Sequence, residues 1–185
     1  MTRGKMTVPY VHSGYDRIEG DNYQTVDPRC LASLLSAWSV PAVIWEQCSE
    51  QGSGLIYDLS VSKRRVVSGG DAFEAPDTLI DAIITNPPYS RPLVDRIVHH
   101  GVSLVRAGDI VMAAYLLRAN WDLAKCRADL LTAENHYAGC VRMRFRPWWS
   151  EERRAQPIHN YQWVIFDNRH SGEPVLRYSD GEAAQ

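Results

Sequence analysis

The sequence predicts an α/β fold, a Rossmann-like domain with a mainly parallel sheet, an antiparallel C-terminal edge and helices on both faces. Three observations predict it. Short apolar runs alternate with segments of helical spacing through most of the chain, strand-like pieces then cluster after residue 139, and 185 residues at 45% hydrophobic content supply one core but not two full domains.

Each element follows from local pattern. In 28–38 the apolar residues Leu31, Leu34, Leu35 and Trp38 recur at three- and four-residue intervals, so a helix is expected, with Asp27 as its N-cap. Residues 41–45 form a buried strand that enters a Gly/Ser-bearing loop running to Gly54. A short helix over 54–63 places Leu55, Ile56 and Leu59 on one face, and a second strand, 65–67, is stopped by Gly69 and Gly70. The apolar run 80–85 ends at two prolines, which cannot continue a central ladder. Helical spacing over 91–105 leads into a buried strand within 109–117, the most hydrophobic stretch of the chain. A further helix is expected over 121–131, then strands at 139–146, 162–167 and 175–178. Residues 1–22 lack sustained periodicity and read as a flexible arm, 23–180 as a single domain and 181–185 as a tail.

Composition narrows the function classes. A formal net charge of -2 gives no global basic signature, so a nucleic-acid surface must be a local patch. Cys30, Cys48, Cys126 and Cys140 lie far apart with no CxxC pair, which argues against a metal site or a disulfide framework and for a cytoplasmic protein. The N-terminus carries Arg3, Lys5, Asp16, Arg17 and Glu19 without an apolar core, unlike a signal peptide, and no apolar run approaches the ~20 residues that span a bilayer. No membrane partner is expected, and the oligomeric state is not legible.

The chemistry centres on Asn86-Pro87-Pro88-Tyr89. In an open α/β sheet, ligands collect at the carboxyl ends of the strands, where this loop begins. Two prolines fix their own φ angles and extend the residue before each, so Asn86 and Pro87 are rigidly placed. The Asn86 side-chain oxygen and the Pro87 carbonyl are both acceptors, suited to the two hydrogens of an exocyclic amino group. Such an amino nitrogen is a poor nucleophile because its lone pair is delocalised. Two acceptors favour pyramidal nitrogen and aim its lone pair, catalysis by orientation and electrostatics. Tyr89 would stack on a base flipped out of its duplex.

Residues 81–89, Asp-Ala-Ile-Ile-Thr-Asn-Pro-Pro-Tyr, resemble the strand-plus-NPPY signature of S-adenosylmethionine-dependent amino-methyltransferases, and most of the chain after Tyr23 is similar to small phage- and prophage-type DNA adenine-N6 methyltransferases. The resemblance implies S-adenosylmethionine as cofactor and nucleic acid as partner, DNA favoured over RNA. Relatives with the same signature methylate RNA bases or a protein glutamine, and a degenerate member acting as a binding module is the remaining alternative.

The resemblance also implies cofactor residues. Tyr23 and Thr25 correspond to a segment that touches the methionine part, and Glu46, Cys48, Gly52 and Gly54 to the loop after the first strand, where glycine permits close approach. Gln47 stands where the family usually has proline, and Glu50 near a usual glycine. Asp71 is assigned to cofactor hydrogen bonding, Phe73 to packing on its adenine, and Asn86 to both cofactor and acceptor. Arg142, Arg144 and Arg146 alternate with Met143 and Phe145 and precede Trp148 and Trp149; on a strand, the three guanidiniums share one face, a mixture suited to phosphates and unpaired bases. His159 and Asn160 precede a strand and are candidates to line the cleft.

Overall fold

A computed structural model describes residues 24–48, 53–149 and 157–182. Each predicted apolar run in these segments forms a strand: β1 (Val43–Glu46), β2 (Arg65–Ser68), β3 (Ala82–Thr85), β4 (Met112–Arg118), β5 (Tyr137–Met143), β6 (Tyr161–Asp167) and β7 (Val175–Ser179). They make one seven-stranded sheet in the order β2-β1-β3-β4-β6-β5-β7. Strands β2, β1, β3 and β4 run parallel, β6 is antiparallel to both β4 and β5, and β7 runs parallel to β5. The predicted α/β class therefore holds, with the reversal concentrated in β6, wedged between two strands and buried along its whole length.

Three α-helices cover the faces: α1 (Arg29–Ala37), α2 (Gly54–Val61) and α3 (Leu93–Ala107). Period-2 alternation divides the core. Ile44, Ala82, Ile84, Met112, Ala114 and Leu116 pack with α1 and α2, while Trp45, Ile83, Ala113, Tyr115 and Leu117 pack with α3. Helix α2 is capped by Ser53 Oγ, which accepts from Ile56 N at 3.3 Å, and α3 ends at Gly108 in the left-handed conformation.

Three local expectations are corrected. Asp27 is not the N-cap of α1; that position is Pro28, whose fixed φ suits a first turn. Asp27 instead accepts from Arg29 N at 3.1 Å, from the Arg29 guanidinium and from Trp148 N at 3.2 Å, tying the helix start to a distant loop. The segment 121–131 is no α-helix but short 3-10 turns, Trp121–Leu123 and Lys125–Arg127. Arg127 ties these turns to α3, its guanidinium donating to the Trp121 carbonyl at 2.5 Å and to Asp95 Oδ1 at 2.8 Å. Finally, β5 ends at Met143, so Arg142 is on the strand whereas Arg144 and Arg146 lie beyond it. The arm at 1–22 and the last tail residues, 183–185, lie outside the described residues.

Among the described residues, no helix is long and apolar enough to cross a membrane. Cys30, Cys48, Cys126 and Cys140 are free thiols.

Candidate active site at the carboxyl edge of the sheet

The parallel strands send their carboxyl ends to one edge, and the antiparallel β6 begins there, since Tyr161 pairs with Arg118. Helix α1 enters from the same side. Predicted residues far apart in sequence thus converge, as expected for ligand sites in open α/β sheets.

At the centre, Thr85 closes β3 and Asn86 follows, 4% exposed, with Pro87 also buried. The Tyr89 hydroxyl donates to Asn86 Oδ1 at 2.5 Å, which engages one of the two lone pairs of that oxygen. The Tyr89 ring lies 5.6 Å from Tyr161, 6.3 Å from Trp149 and 5.8 Å from the Arg118 guanidinium carbon. Burial, with Tyr161 alongside, raises its phenol well above the ordinary value, so the hydroxyl stays a donor at neutral pH.

On the β1 side, the fully buried Glu46 accepts from the Thr85 hydroxyl, joining the ends of β1 and β3. Burial pushes the Cys48 thiol up to about 12 against a lowering bond from Thr85, so Cys48 is a neutral packing group. Gly54 is explained by close approach: a Cβ there would lie 2.2 Å from the Thr25 carbonyl oxygen. That contact holds the 24–27 segment against the start of α2 and unites two predicted cofactor residues. Gln47 braces the edge in a way proline cannot, because its Nε2 donates to the Ala72 carbonyl at 2.9 Å. The 71–74 turn is thereby held near the end of β1. Within that turn Asp71 Oδ1 accepts from Phe73 N at 2.9 Å, while the Phe73 ring lies under the Arg96 guanidinium at 4.7 Å and beside His100 at 5.8 Å. Desolvation holds the His100 imidazole below its ordinary pKa, with Asp71 opposing. Tyr23, Glu50 and Gly52 lie outside the described residues.

The buried polar atoms of this region suit a polar ligand. Gln24 Oε1, Thr25 Oγ1 and Gln47 Oε1 are buried without a hydrogen-bond partner. Such groups are rare unless something fills them.

Beyond β3 the predicted Arg/Trp region divides. Arg142 donates to Gln162 Oε1 at 3.2 Å and lies 3.8 Å from Asp122; Arg144 pairs with Asp180 at 3.5 Å; Arg146 donates to Asn160 Oδ1 at 3.1 Å. Met143 is in the core and Phe145 packs against it, so the predicted alternation continues past the end of the strand at Met143. Trp149 packs on Tyr161 at 4.9 Å and walls the Tyr89 site, whereas Trp148 uses its backbone to bind Asp27. Desolvation and the nearby Arg118 and Arg146 lower the exposed His159.

Sequence reasoning missed Thr85, Arg118 and Tyr161 as site residues. A signal for Arg118 existed: a lone charge directly after the most hydrophobic strand sits at the ligand-bearing edge.

These features define an open α/β sheet with a cluster of buried polar groups at its carboxyl edge. Among solved structures, the chain is similar to a crystal structure of a Spodoptera frugiperda DNMT2 mutant, with 10% identity and a TM-score of 0.44, over 84% of this chain and 53% of that one. The chain thus spans about half the length of that structure. No family model and no curated protein matches the sequence.

Proposed function

We propose that the protein is an S-adenosylmethionine-dependent methyltransferase acting on an exocyclic amino group, adenine N6 of DNA being the favoured acceptor. The observation that carries this reading is Asn86, buried at the end of β3 on a two-proline loop, with its side-chain oxygen accepting from Tyr89 and the buried polar groups of the β1 edge beside it. Glu46, Thr25, Gln47 and the Asp71 turn would hold the cofactor, which when bound supplies the methyl group as an electrophile.

The chain's own residues do the rest. Asn86 Oδ1 and the Pro87 carbonyl accept the two amino hydrogens, fixing the nitrogen and keeping its lone pair free to react. An amide oxygen carries two lone pairs, so Oδ1 can accept from Tyr89 and from the amino group together. Prolines 87 and 88 keep the loop from relaxing, so little reorganisation accompanies the reaction. Trp149 and Tyr161 exclude water from one flank and offer faces for a flipped base.

Incubation with methyl-labelled cofactor and separate DNA, RNA and protein fractions tests the reading. Label is expected at adenine N6 of DNA; label in RNA or on protein glutamine moves the acceptor and keeps the transfer. Saturable S-adenosylmethionine binding in calorimetry is expected, and a silent titration of folded protein defeats the proposal in favour of a binding module.

A further inference from the structure

Beside Tyr89 opens a cleft of about 190 Å³ lined by Tyr89, Arg91, Arg118, Asn120, Trp121 and Arg127. It lies across β3 from the cofactor residues. Three guanidiniums line it, and among the described residues the carboxylate that pairs with them is Asp95, with Arg91 at 3.2 Å and with Arg127 at 2.8 Å. Arg127 is committed to the fold through Asp95, the Trp121 carbonyl and its own stack over the Trp121 ring at 4.3 Å. Arg118 differs. It is half-buried, no carboxylate pairs with it among the described residues, and its Nε is buried without an acceptor. Trp121 Nε1, another donor, is buried and unmet as well. A wall with two buried, unmet donors and a surplus of positive charge calls for an anion.

Position selects which anion. Tyr115 pairs with Thr85, the residue before Asn86, and Arg118 lies three residues further along β4, about 10 Å by strand rise. That is the reach of one nucleotide, from the amino group of its base to its backbone.

We propose that this cleft binds the phosphodiester next to the acceptor nucleotide, with Arg118 as its principal contact and Asn120 beside it. The inference rests on the proposed transfer to a nucleic-acid base and adds the residue that seats the backbone. Phosphate contacts fix register and carry no sequence information, so this cleft sets affinity and placement, not sequence preference.

The test is fluorescence anisotropy of a labelled single-stranded oligodeoxynucleotide carrying one adenine, over a salt series. Arg118→Gln is expected to weaken binding about tenfold and to reduce the slope of log K against log salt by about 0.7, one phosphate contact on a single strand. Arg118→Lys should restore most of the slope. Arg106→Gln, whose parent pairs with Glu134 at the far end of α3, should match the wild type. A neutral methylphosphonate walked along the oligonucleotide should weaken wild-type binding most beside the adenine and add nothing to Arg118→Gln. A wild-type slope in folded Arg118→Gln, or wild-type protein that binds no oligonucleotide, overturns the proposal. Should Arg118→Gln not fold, the methylphosphonate walk on wild-type protein decides, and a walk with no dominant position overturns it. Calorimetry with S-adenosylmethionine separates the two readings: if it is silent while the oligonucleotide arms behave as expected, methyl transfer fails and the phosphate cleft stands. Cofactor binding with an unchanged Arg118→Gln slope gives the reverse.

Discussion

The two flanks of β3 differ in the side chains they bring to the carboxyl edge, carboxyl, amide and hydroxyl oxygens beside β1 and guanidiniums beside β4. On the β1 side, Gln24 Oε1, Thr25 Oγ1 and Gln47 Oε1 are buried oxygens with no donor, near the Glu46 carboxyl that the Thr85 hydroxyl meets, and Trp45 Nε1 is the buried donor on β1 itself with no acceptor. On the β4 side, the unmet groups at the cleft are nitrogens, Arg118 Nε and Trp121 Nε1, among guanidiniums. A cationic, hydroxyl-rich cofactor suits the first flank and a polyanion the second. Asn86 stands between them, so under the proposed reading the sheet would separate two ligands of opposite charge and let them meet at one side chain.

The largest expected effect is at that boundary. Asn86→Ala should lower methyl transfer by about 10²–10³-fold, as for loss of one preorganised polar contact to the reacting group, while oligonucleotide and cofactor binding on the two flanks change little. Single-turnover label transfer checks this; a loss of both affinities with it would show that the flanks are not separate.

Gly54→Ala should break the β1 flank alone. The new Cβ meets the Thr25 carbonyl at 2.2 Å, and backbone must move, so a stability loss of about 1–3 kcal/mol is expected, with weaker cofactor binding and an unchanged oligonucleotide salt slope. Thermal melts beside calorimetry read both. Glu46→Gln sharpens the charge comparison, since the amide still accepts from the Thr85 hydroxyl but carries no charge. About tenfold weaker cofactor binding, roughly 1.4 kcal/mol, is the expected result, and unaltered binding would remove charge from the account of that flank.

The smallest effect concerns the tie between the flanks. Burial alone would raise the Asp27 carboxyl, but bonds from the Arg29 guanidinium, Trp148 N and Arg29 N bring it below its ordinary value. A depressed carboxylate stabilises above its unfolded pKa, near 3.9, and that contribution is lost as pH falls through the folded value. Asp27→Asn should therefore cost about 1 kcal/mol at neutral pH and flatten the stability curve below about pH 4, measured by urea unfolding across pH.

Much of this was legible in the chain itself. Apolar runs of four to seven residues, broken by Gly and Pro, are the direct imprint of buried strands, and all seven appear where the pattern puts them. The NPPY loop announced its own rigidity, because proline constrains backbone locally whatever surrounds it. The departures arise where a side chain acts at a distance. Residues 121–131 form short turns held to α3 by Arg127, which donates to the Trp121 carbonyl and to Asp95, and the Asp27 carboxylate accepts from Trp148 and Arg29 rather than capping the helix.

Local order was thus determined by sequence alone: which segments are buried, where they stop, and that Asn86 begins a stiff loop at a strand end. Tertiary structure decided the rest. The insertion of β6 between β4 and β5 brings Tyr161 beside Tyr89 and pairs it with Arg118, and no periodicity encodes which strands become neighbours. The gathering of Thr25, Gln47, Arg118 and Trp121 along one edge is likewise a product of strand order, because these residues come from segments distant in sequence and share an edge only once the sheet has formed.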